Sequence, residues 1–300
     1  MGKLMSQKDF VVGMGYGPAK VGKTVATIRA FPNALFVAQP GAMLCANYLE
    51  WEPKVVEVRG NQGFKHITDV VKKASGKVPA IVIDDFSLIA DVELATCKMQ
   101  AQGFAAFDLL NQRTYQLIRA CREAQSHVLI TCHEQAPREV KKDQHSRYIK
   151  GCPLIQGWQM PEKLPALVDF CARVVYEKGP GWPYRYNTGP DQNYVQGDRL
   201  AVLPAKFPLN FREAMLAAGY DMPRPEALAW MDEHVECIAE LLLEESGAKR
   251  PDYKKVMASA ASSLSDRSPR HVRWVLADAM DRMVLRQHQS NLVDSFIDTY

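Results

Sequence analysis

The residues with the clearest chemistry lie near the start of the chain, where Gly17 to Thr24 reads G-x-x-x-x-G-K-T. The two glycines let the backbone wrap closely around a chain of phosphates, and the N–H groups of the loop then face the anion. We expect the ammonium group of Lys23 to reach the β- and γ-phosphates and the hydroxyl of Thr24 to bind Mg²⁺. The residues expected to contact the bound molecule are Gly17, Pro18, Ala19, Lys20, Val21, Gly22, Lys23, Thr24 and Val25. The pattern therefore predicts a site for a nucleoside triphosphate with Mg²⁺.

The elements around this pattern are those that a phosphate-binding loop needs. Phe10 to Met14 is an apolar run that predicts a buried strand, and residues 25–30 continue as a helix until Pro32 ends it. This helix would point the positive end of its dipole at the phosphates. A dinucleotide-binding fingerprint that starts at Gly13 is excluded, because Pro18 stands where its last glycine is required.

A pair of carboxylates follows a second buried strand. Ala80 to Ile83 is a continuous hydrophobic run, which is typical of a strand covered on both faces in a parallel sheet, and it leads into Asp84 and Asp85. We expect Asp84 to hold Mg²⁺ through water, and the alternative is a strand-end aspartate that caps a turn. For Asp85 we expect either a role in polarising water or simple exposure to solvent.

The composition describes an ordinary globular protein. The chain has 300 residues, of which 47% are hydrophobic and 24% charged, and its net charge is +3, so binding to nucleic acid would depend on local patches. A membrane-spanning helix needs an apolar run of about 18 residues, and the sequence has none. The polar N-terminus leaves no room for a signal peptide. The seven cysteines are scattered and never spaced as C-x-x-C, which argues against a zinc site or disulfides and favours a reducing cytoplasm.

Strands and helices alternate along the first two thirds of the chain. This alternation predicts an α/β fold with a mostly parallel central sheet flanked by helices. Beyond residue 206 the hydrophobic spacing is that of helices only. We therefore predict two domains, an α/β core over residues 1–206 and a helical C-terminal region over residues 207–300.

The order of these motifs resembles that of the RecA-like core ATPases, and most closely the phage-encoded RecA-like proteins that assist single-strand annealing and recombination. The resemblance covers about residues 8–206. The segments that carry it, besides the two motifs above, are the helix Phe107 to Ala124, a strand that ends in Thr131-Cys132-His133-Glu134, Pro153-Leu-Ile-Gln-Gly, Leu164-Pro-Ala-Leu-Val-Asp169, and Gly197-Asp-Arg199 ahead of Leu203-Pro204. It implies a RecA-like P-loop fold that binds ATP and Mg²⁺. It also implies a homo-oligomer that binds single-stranded DNA in the cytoplasm of a phage-infected bacterial host. A single-strand binding protein is a further candidate partner.

The resemblance also assigns roles to single residues. Lys23 and Thr24 become ligands of the phosphates and Mg²⁺, and Asp84 becomes the acidic residue of the metal site. His133 becomes the polar residue that faces the γ-phosphate, and Arg199 falls where the family has a basic residue that reaches the nucleotide of a neighbouring subunit. The alternatives are a structural histidine and a surface arginine in a hairpin. An arginine that acts on a neighbour has a purpose only in an oligomer.

Gln39 departs from the family pattern. Members usually have a carboxylate near the end of the second strand, where it orients the attacking water, and here that stretch contains Gln39. Glutamine can hold a water molecule but is a poor proton acceptor. Slow hydrolysis is therefore expected, unless Glu50, Asp85 or Glu134 substitutes. The family's lysine beside the arginine is missing as well, because residue 197 is glycine.

Contact with single-stranded DNA is predicted for the loops that follow the Asp84 strand and the His133 strand. The second, residues 138–150, is basic and loop-like, and Tyr148 is its only aromatic residue for stacking on bases. The candidate DNA-binding residues are Arg138, Lys141, Lys142, Arg147, Tyr148 and Lys150. A solvated basic surface is the alternative, and further basic residues over 249–273 could contact DNA or a neighbouring subunit.

Two other functions stay open at this point. One is a nucleotide-binding structural or regulatory protein with little or no turnover of ATP, and Gln39 favours it. The other is a small-molecule kinase, which would need an arginine-bearing lid, and no segment of the sequence is a convincing lid.

Overall fold

The computed structural model describes residues 9–297 apart from 61, 143–144, 158–159, 179–182, 201–202 and 248–250; the side chains of 140–142, 145–147 and 288–297 are also outside the description. The first elements in chain order are β1 (Val12–Gly17), α1 (Lys23–Ala30), β2 (Leu35–Ala38), a 3₁₀ helix (Ala42–Leu49), β3 (Lys54–Glu57), α2 (Phe64–Ala74), β4 (Ala80–Asp84), α3 (Phe86–Gln100), α4 (Phe104–Glu123) and β5 (His127–Gln135). Then follow β6 (Arg138–Lys142), β7 (His145–Ile149), β8 (Cys152–Pro153), α5 (Met160–Lys163), a 3₁₀ helix (Leu164–Leu167), β9 (Phe170–Tyr176), β10 (Tyr184–Asn187), β11 (Gly197–Asp198) and β12 (Lys206–Pro208). The last elements are α6 (Phe211–Ala217), a 3₁₀ helix (Glu226–Leu228), α7 (Trp230–Ser246), α8 (Tyr253–Ser263) and α9 (Pro269–Ile297).

The central sheet confirms the predicted α/β fold. Its strand order is β12-β10-β9-β1-β5-β4-β2-β3, and the strands from β9 to β3 run parallel. β10 and β12 add an antiparallel extension beside β9. The sheet is therefore mostly parallel, with helices on its faces and a helical region at the C-terminus.

One edge of this sheet collects the residues that the sequence singled out. β5 lies between β1 and β4, and Gly17 at the end of β1 pairs with His133 of β5. Ala38 at the end of β2 pairs with Asp84 of β4. Because the carboxyl ends of parallel strands meet at one edge, the phosphate-binding loop, the two carboxylates and the residue after β2 become neighbours.

The glycines of β1 make room for aromatic side chains. A Cβ atom on Gly13 would lie 2.1 Å from Cζ of Phe170, and one on Gly15 would lie 2.9 Å from the hydroxyl of Tyr186. The ring of Tyr186 stacks on that of Phe211, with centroids 4.1 Å apart. The glycine run before the phosphate-binding loop is therefore explained by close packing against the sheet and α6.

The C-terminal helices pack directly on the sheet and on α1. One cluster of buried apolar residues contains members from both sides of residue 206, among them Phe36, Ala172, Phe211, Met231 and Val275. The two-domain division near residue 206 stays a prediction. In the part of the chain that the structure describes, no helix is long and apolar enough to cross a membrane.

A buried polar network joins α1 to α9. Arg29 of α1 donates hydrogen bonds to Asp278 (3.0 Å from Nε) and to Asp281 (2.9 Å from Nη2). Asn210 donates a hydrogen bond of 2.9 Å to Asp278, and Arg224 donates one of 2.5 Å to the same carboxylate. Each charge in this network has a partner of opposite sign, as a buried charge requires.

The segment over residues 138–150 corrects one expectation. It is not a loop but a two-stranded antiparallel hairpin of β6 and β7, in which Arg138 pairs with Ile149. Because this hairpin stands apart from the central sheet, its strands lack the apolar alternation by which a half-buried strand is recognised. The first strand also differs, since it begins at Val12 rather than Phe10 and runs to Gly17.

Candidate nucleotide-binding site

The phosphate-binding loop connects β1 to α1 with two residues in the left-handed region. Gly22, directly before α1, has φ 92°, and Lys20 has φ 63°. A side chain at position 22 would be strained by this backbone, so the second glycine of the motif is required for the turn. α1 has no side-chain cap at its N-terminus. The N–H groups of its first turn therefore point into the loop, where an anion would accept their hydrogen bonds.

Lys23 is buried inside this loop. Its ammonium group donates hydrogen bonds to the carbonyl oxygens of Gly17 (3.0 Å) and Pro18 (2.7 Å). Burial lowers the pKa of Lys23, whereas the nearby carboxylates of Asp85 and Asp84 raise it. The positive charge is thus held at the centre of the loop, at the place where the sequence predicts the phosphates.

Asp84 lies at the end of β4 and accepts hydrogen bonds from two threonines. The hydroxyl of Thr24 donates to Oδ2 over 2.9 Å, and the hydroxyl of Thr131 on β5 donates to Oδ1. Burial raises the pKa of Asp84, and the two hydrogen bonds oppose that shift. Thr24 and Asp84 thereby bring two oxygen atoms side by side, the donor type that Mg²⁺ prefers. The sequence named Thr131 only as part of a motif and missed this contact.

Asp85 directly precedes α3 and is neither free nor merely solvated. Its Oδ1 accepts a hydrogen bond of 2.8 Å from the backbone N–H of Ser87, which makes it the N-cap of the helix. Its Oδ2 lies 2.7 Å from Nε2 of His133. The backbone N–H of His133 also donates to the hydroxyl of Ser87 over 2.9 Å. These contacts hold the His133 ring at the edge of the sheet, beside the end of β1.

Gln39 directly follows β2 and lies half-buried at the same edge. Glu134 and Glu50, the other two carboxylates that could act in place of Gln39, also have partners. Glu134 pairs with Arg173 over 2.7 Å, and the guanidinium of Arg173 stacks on the ring of Tyr194, a contact that the sequence did not indicate. Glu50 accepts a hydrogen bond from Ser268 and lies 3.6 Å from Nε of Arg270.

Arg199 lies at the other edge of the sheet. The residue before it, Asp198, pairs with Phe170 at the beginning of β9, and Phe170 pairs with Gly13 near the beginning of β1. The exposed guanidinium of Arg199 donates a hydrogen bond of 2.8 Å to the carbonyl oxygen of Ala166. It is therefore not part of the phosphate-binding loop of its own chain.

The candidate DNA-binding residues lie on and next to the β6–β7 hairpin. Tyr148 is 52% exposed and donates a hydrogen bond of 2.9 Å to Asn193. Lys150 donates one of 3.2 Å to the carbonyl oxygen of Asp191, and Arg138 is exposed. The remaining candidates belong to the hairpin by their backbone, but their side chains lie outside the described residues: Lys141, Lys142 and Arg147.

Comparison with known proteins gives one assignment. A family model described as an AAA domain matches residues 10–200, which include the phosphate-binding loop, Asp84 and His133. No curated protein matches the chain. Proteins of this class bind nucleotides at a P-loop, generally together with Mg²⁺. Since the match covers about two thirds of the 300 residues, the chain belongs to the AAA domain family of P-loop nucleotide-binding proteins.

Proposed function

We propose that this protein is a RecA-like ATPase that binds ATP with Mg²⁺, hydrolyses it slowly and acts on single-stranded DNA in phage recombination or replication. The observation that carries the nucleotide part is the hydrogen bond of 2.9 Å between Thr24 and Asp84. It joins the end of the phosphate-binding loop to the carboxylate of another strand across β5. A hydroxyl oxygen and a carboxylate oxygen at this distance, next to a buried lysine, are suited to Mg²⁺ and a polyphosphate.

In this proposal each residue of the site has one role. Thr24 and Asp84 hold Mg²⁺, which would neutralise charge on the β- and γ-phosphates. Lys23 turns from the carbonyl oxygens of Gly17 and Pro18 to the phosphates, and the N–H groups at the start of α1 bind the remaining oxygens. His133, oriented by Asp85, faces the γ-phosphate, and Gln39 holds the attacking water without accepting its proton.

The DNA part of the proposal rests on the hairpin and on the family resemblance. β5 ends at Gln135, and β6 begins at Arg138, so the basic hairpin directly follows the strand that carries His133. Cationic side chains bind the phosphates of a single strand, and the exposed ring of Tyr148 can stack on a base. This arrangement would bring DNA close to the edge of the sheet that binds the nucleotide.

Assembly is the third part. We propose that Arg199 reaches the nucleotide of a neighbouring copy in a homo-oligomer, because it lies at the opposite edge of the sheet from its own P-loop. Such an arginine can contribute about 10³–10⁵ in rate. The resemblance to phage proteins supports action in the cytoplasm of an infected bacterium, alongside a single-strand binding protein.

A second candidate function is a nucleotide-binding structural or regulatory protein that turns over little or no ATP. Gln39 occupies the place of the general base, and the three substitute carboxylates Asp85, Glu134 and Glu50 each have a partner. In that case ATP would hold one conformation or assembly of the protein rather than be consumed.

The deciding experiment compares wild type with Lys23→Ala in binding of ATP by calorimetry and in ATP turnover with and without single-stranded DNA. Loss of one charged contact should weaken binding about 10- to 150-fold. Lys65→Ala, which removes an exposed lysine of α2, is the matched control and should bind ATP as wild type does.

Each result has a clear meaning. Turnover that rises with single-stranded DNA, and with protein concentration, supports the ATPase and its assembly. Tight binding without turnover under any condition supports the regulatory function instead. If Lys23→Ala binds ATP with the affinity of wild type, the nucleotide site itself is wrongly assigned.

A further inference from the structure

A cavity of about 580 Å³ opens beside the phosphate-binding loop, between α1 and α9. Gly22 and Val25 line it on the side of the loop, and Tyr48, Trp274 and Ala277 line it elsewhere. Its volume falls within the about 300–1,000 Å³ of small-molecule sites. Because Gly22 and Val25 also belong to the predicted phosphate contacts, the cavity is continuous with the site proposed for the triphosphate.

Trp274 adds an independent sign of a ligand. Trp274 is 2% exposed, yet its indole Nε1 has no hydrogen-bond acceptor among the described residues. A buried indole N–H usually has such a partner, since leaving it unsatisfied costs free energy. A polar atom of a bound molecule would supply the missing acceptor.

The chemistry of the lining fits a nucleoside. Apolar side chains such as Val25 and Trp274 suit the faces of a planar base, and the cations Lys20, Arg270 and Arg273 also line the cavity. Aromatic rings and guanidinium groups stack on bases, and cations favour a ligand that carries phosphates.

The wall formed by α9 is fixed in place. Asp278, the residue after Ala277, accepts hydrogen bonds from Arg29 of α1, and so does Asp281 one turn later. The two helices that line the cavity are thus joined by buried ion pairs. The two helices are therefore in place before a ligand binds, and a ligand has only to displace the side chains that cover Nε1 of Trp274.

We propose that this cavity binds the base and ribose of the nucleotide whose phosphates occupy the P-loop. α9 thereby becomes the element that recognises the nucleoside, with Trp274 donating a hydrogen bond from Nε1 to a ring nitrogen or a ribose oxygen. This inference rests on the proposed binding of a nucleoside triphosphate and gives the C-terminal helices a part in it.

The test compares two ligands that share their phosphates. Wild type is titrated by calorimetry with ATP and with inorganic tripolyphosphate, both with Mg²⁺, and should bind ATP more tightly. Ala277→Trp fills the cavity from its partly exposed side, so ATP should bind about tenfold more weakly or worse, while tripolyphosphate binds as before. Ala258→Trp makes the same change on the exposed face of α8 and should leave both affinities unchanged.

A second variant tests the hydrogen bond alone. Trp274→Phe keeps an aromatic ring but removes the N–H, so ATP should bind about two- to tenfold more weakly and tripolyphosphate as in wild type. The inference is overturned if Ala277→Trp keeps full affinity for ATP, if both ligands lose affinity equally, or if wild type binds ATP no more tightly than tripolyphosphate. Binding of neither ligand by wild type would instead refute the proposed function, and this inference with it.

Discussion

The proposed slow hydrolysis of ATP rests on Gln39, an amide where a carboxylate would act as the general base. Gln39 follows β2 directly, and Ala38 pairs with Asp84 of β4. Position 39 therefore lies at the edge of the sheet that carries the oxygens of Thr24 and Asp84 proposed to hold Mg²⁺. Asp85, Glu134 and Glu50 are occupied by His133, Arg173 and Ser268 respectively. The proposed slow turnover is therefore a property of one position.

The substitution Gln39→Glu should raise the rate of ATP hydrolysis. A positioned general base contributes about 10²–10⁴-fold, and the glutamate keeps the length of the glutamine side chain. The measurement is kcat from steady-state phosphate release. Gln39→Ala is the matched control, because it also changes the side chain but adds no base. Equal rates in the two variants would show that position 39 does not face the attacking water.

β1 depends on glycines for its packing as well as for the loop that follows. Gly13 and Gly15 let Phe170, Tyr186 and the ring of Phe211 approach the strand. The same strand delivers Gly17 to the phosphate-binding loop. Crowding of this face would therefore shift both the core and the nucleotide site.

The substitution Gly13→Ala should destabilise the protein, because its Cβ would meet the ring of Phe170 at 2.1 Å. Overpacking of a core typically costs about 1–3 kcal/mol in free energy of unfolding, which urea titration measures. Gly197→Ala on β11 is the matched control, since a Cβ there would have nothing within 4 Å. A variant as stable as wild type would mean that Phe170 moves aside without cost.

The sequence predicted elements well wherever a local pattern specified them. The strand predicted over Ala80 to Ile83 lies within β4, and the spacing of residues alone predicts the P-loop with its strand and helix. The sequence does not predict the β6–β7 hairpin, because residues 138–149 lack the alternation of apolar and polar residues that marks a half-buried strand. The contact of Thr131 with Asp84 and that of Arg29 with Asp278 were missed for another reason. They join residues far apart in the chain, and no local pattern reveals such pairs.

The buried network around Arg29 connects the half of the protein that contains the P-loop to the C-terminal helices. Burial alone would raise the pKa of Asp278, but the guanidinium groups of Arg29 and Arg224 together lower it. Burial raises the pKa of Asp281 to about 6, and Arg29 only partly opposes this shift. The pKa values of these two carboxylates, which lie one turn apart, are therefore shifted in opposite directions.

Asp281 should make stability depend on pH in a defined way. Because its pKa is raised from 3.8 to about 6 on folding, the folded state binds the additional proton between these values. Its contribution is present at low pH and is lost as the pH rises through 6, by up to about 1.4 kcal/mol per pH unit.

Urea unfolding of wild type and Asp281→Asn from pH 4 to pH 8 measures this contribution. The stability of wild type relative to the variant should fall between pH 4 and pH 6 and become constant above about pH 7. Asp266→Asn, at an exposed position of the same region, should show no such trend relative to wild type. A constant difference between wild type and Asp281→Asn across the range would refute the shift.

The ion pair between Arg29 and Asp278 can form only late in the synthesis of the chain. The two residues are 249 positions apart. Ribosomes add about 5–20 residues per second, so Asp278 is synthesised roughly 12–50 seconds after Arg29 of α1. Until then Arg29 and the apolar face beside it lack α9, and the nascent chain depends on solvent or a chaperone to cover them. The helix that follows the first motif of the chain is thus among the last elements to reach its final surroundings.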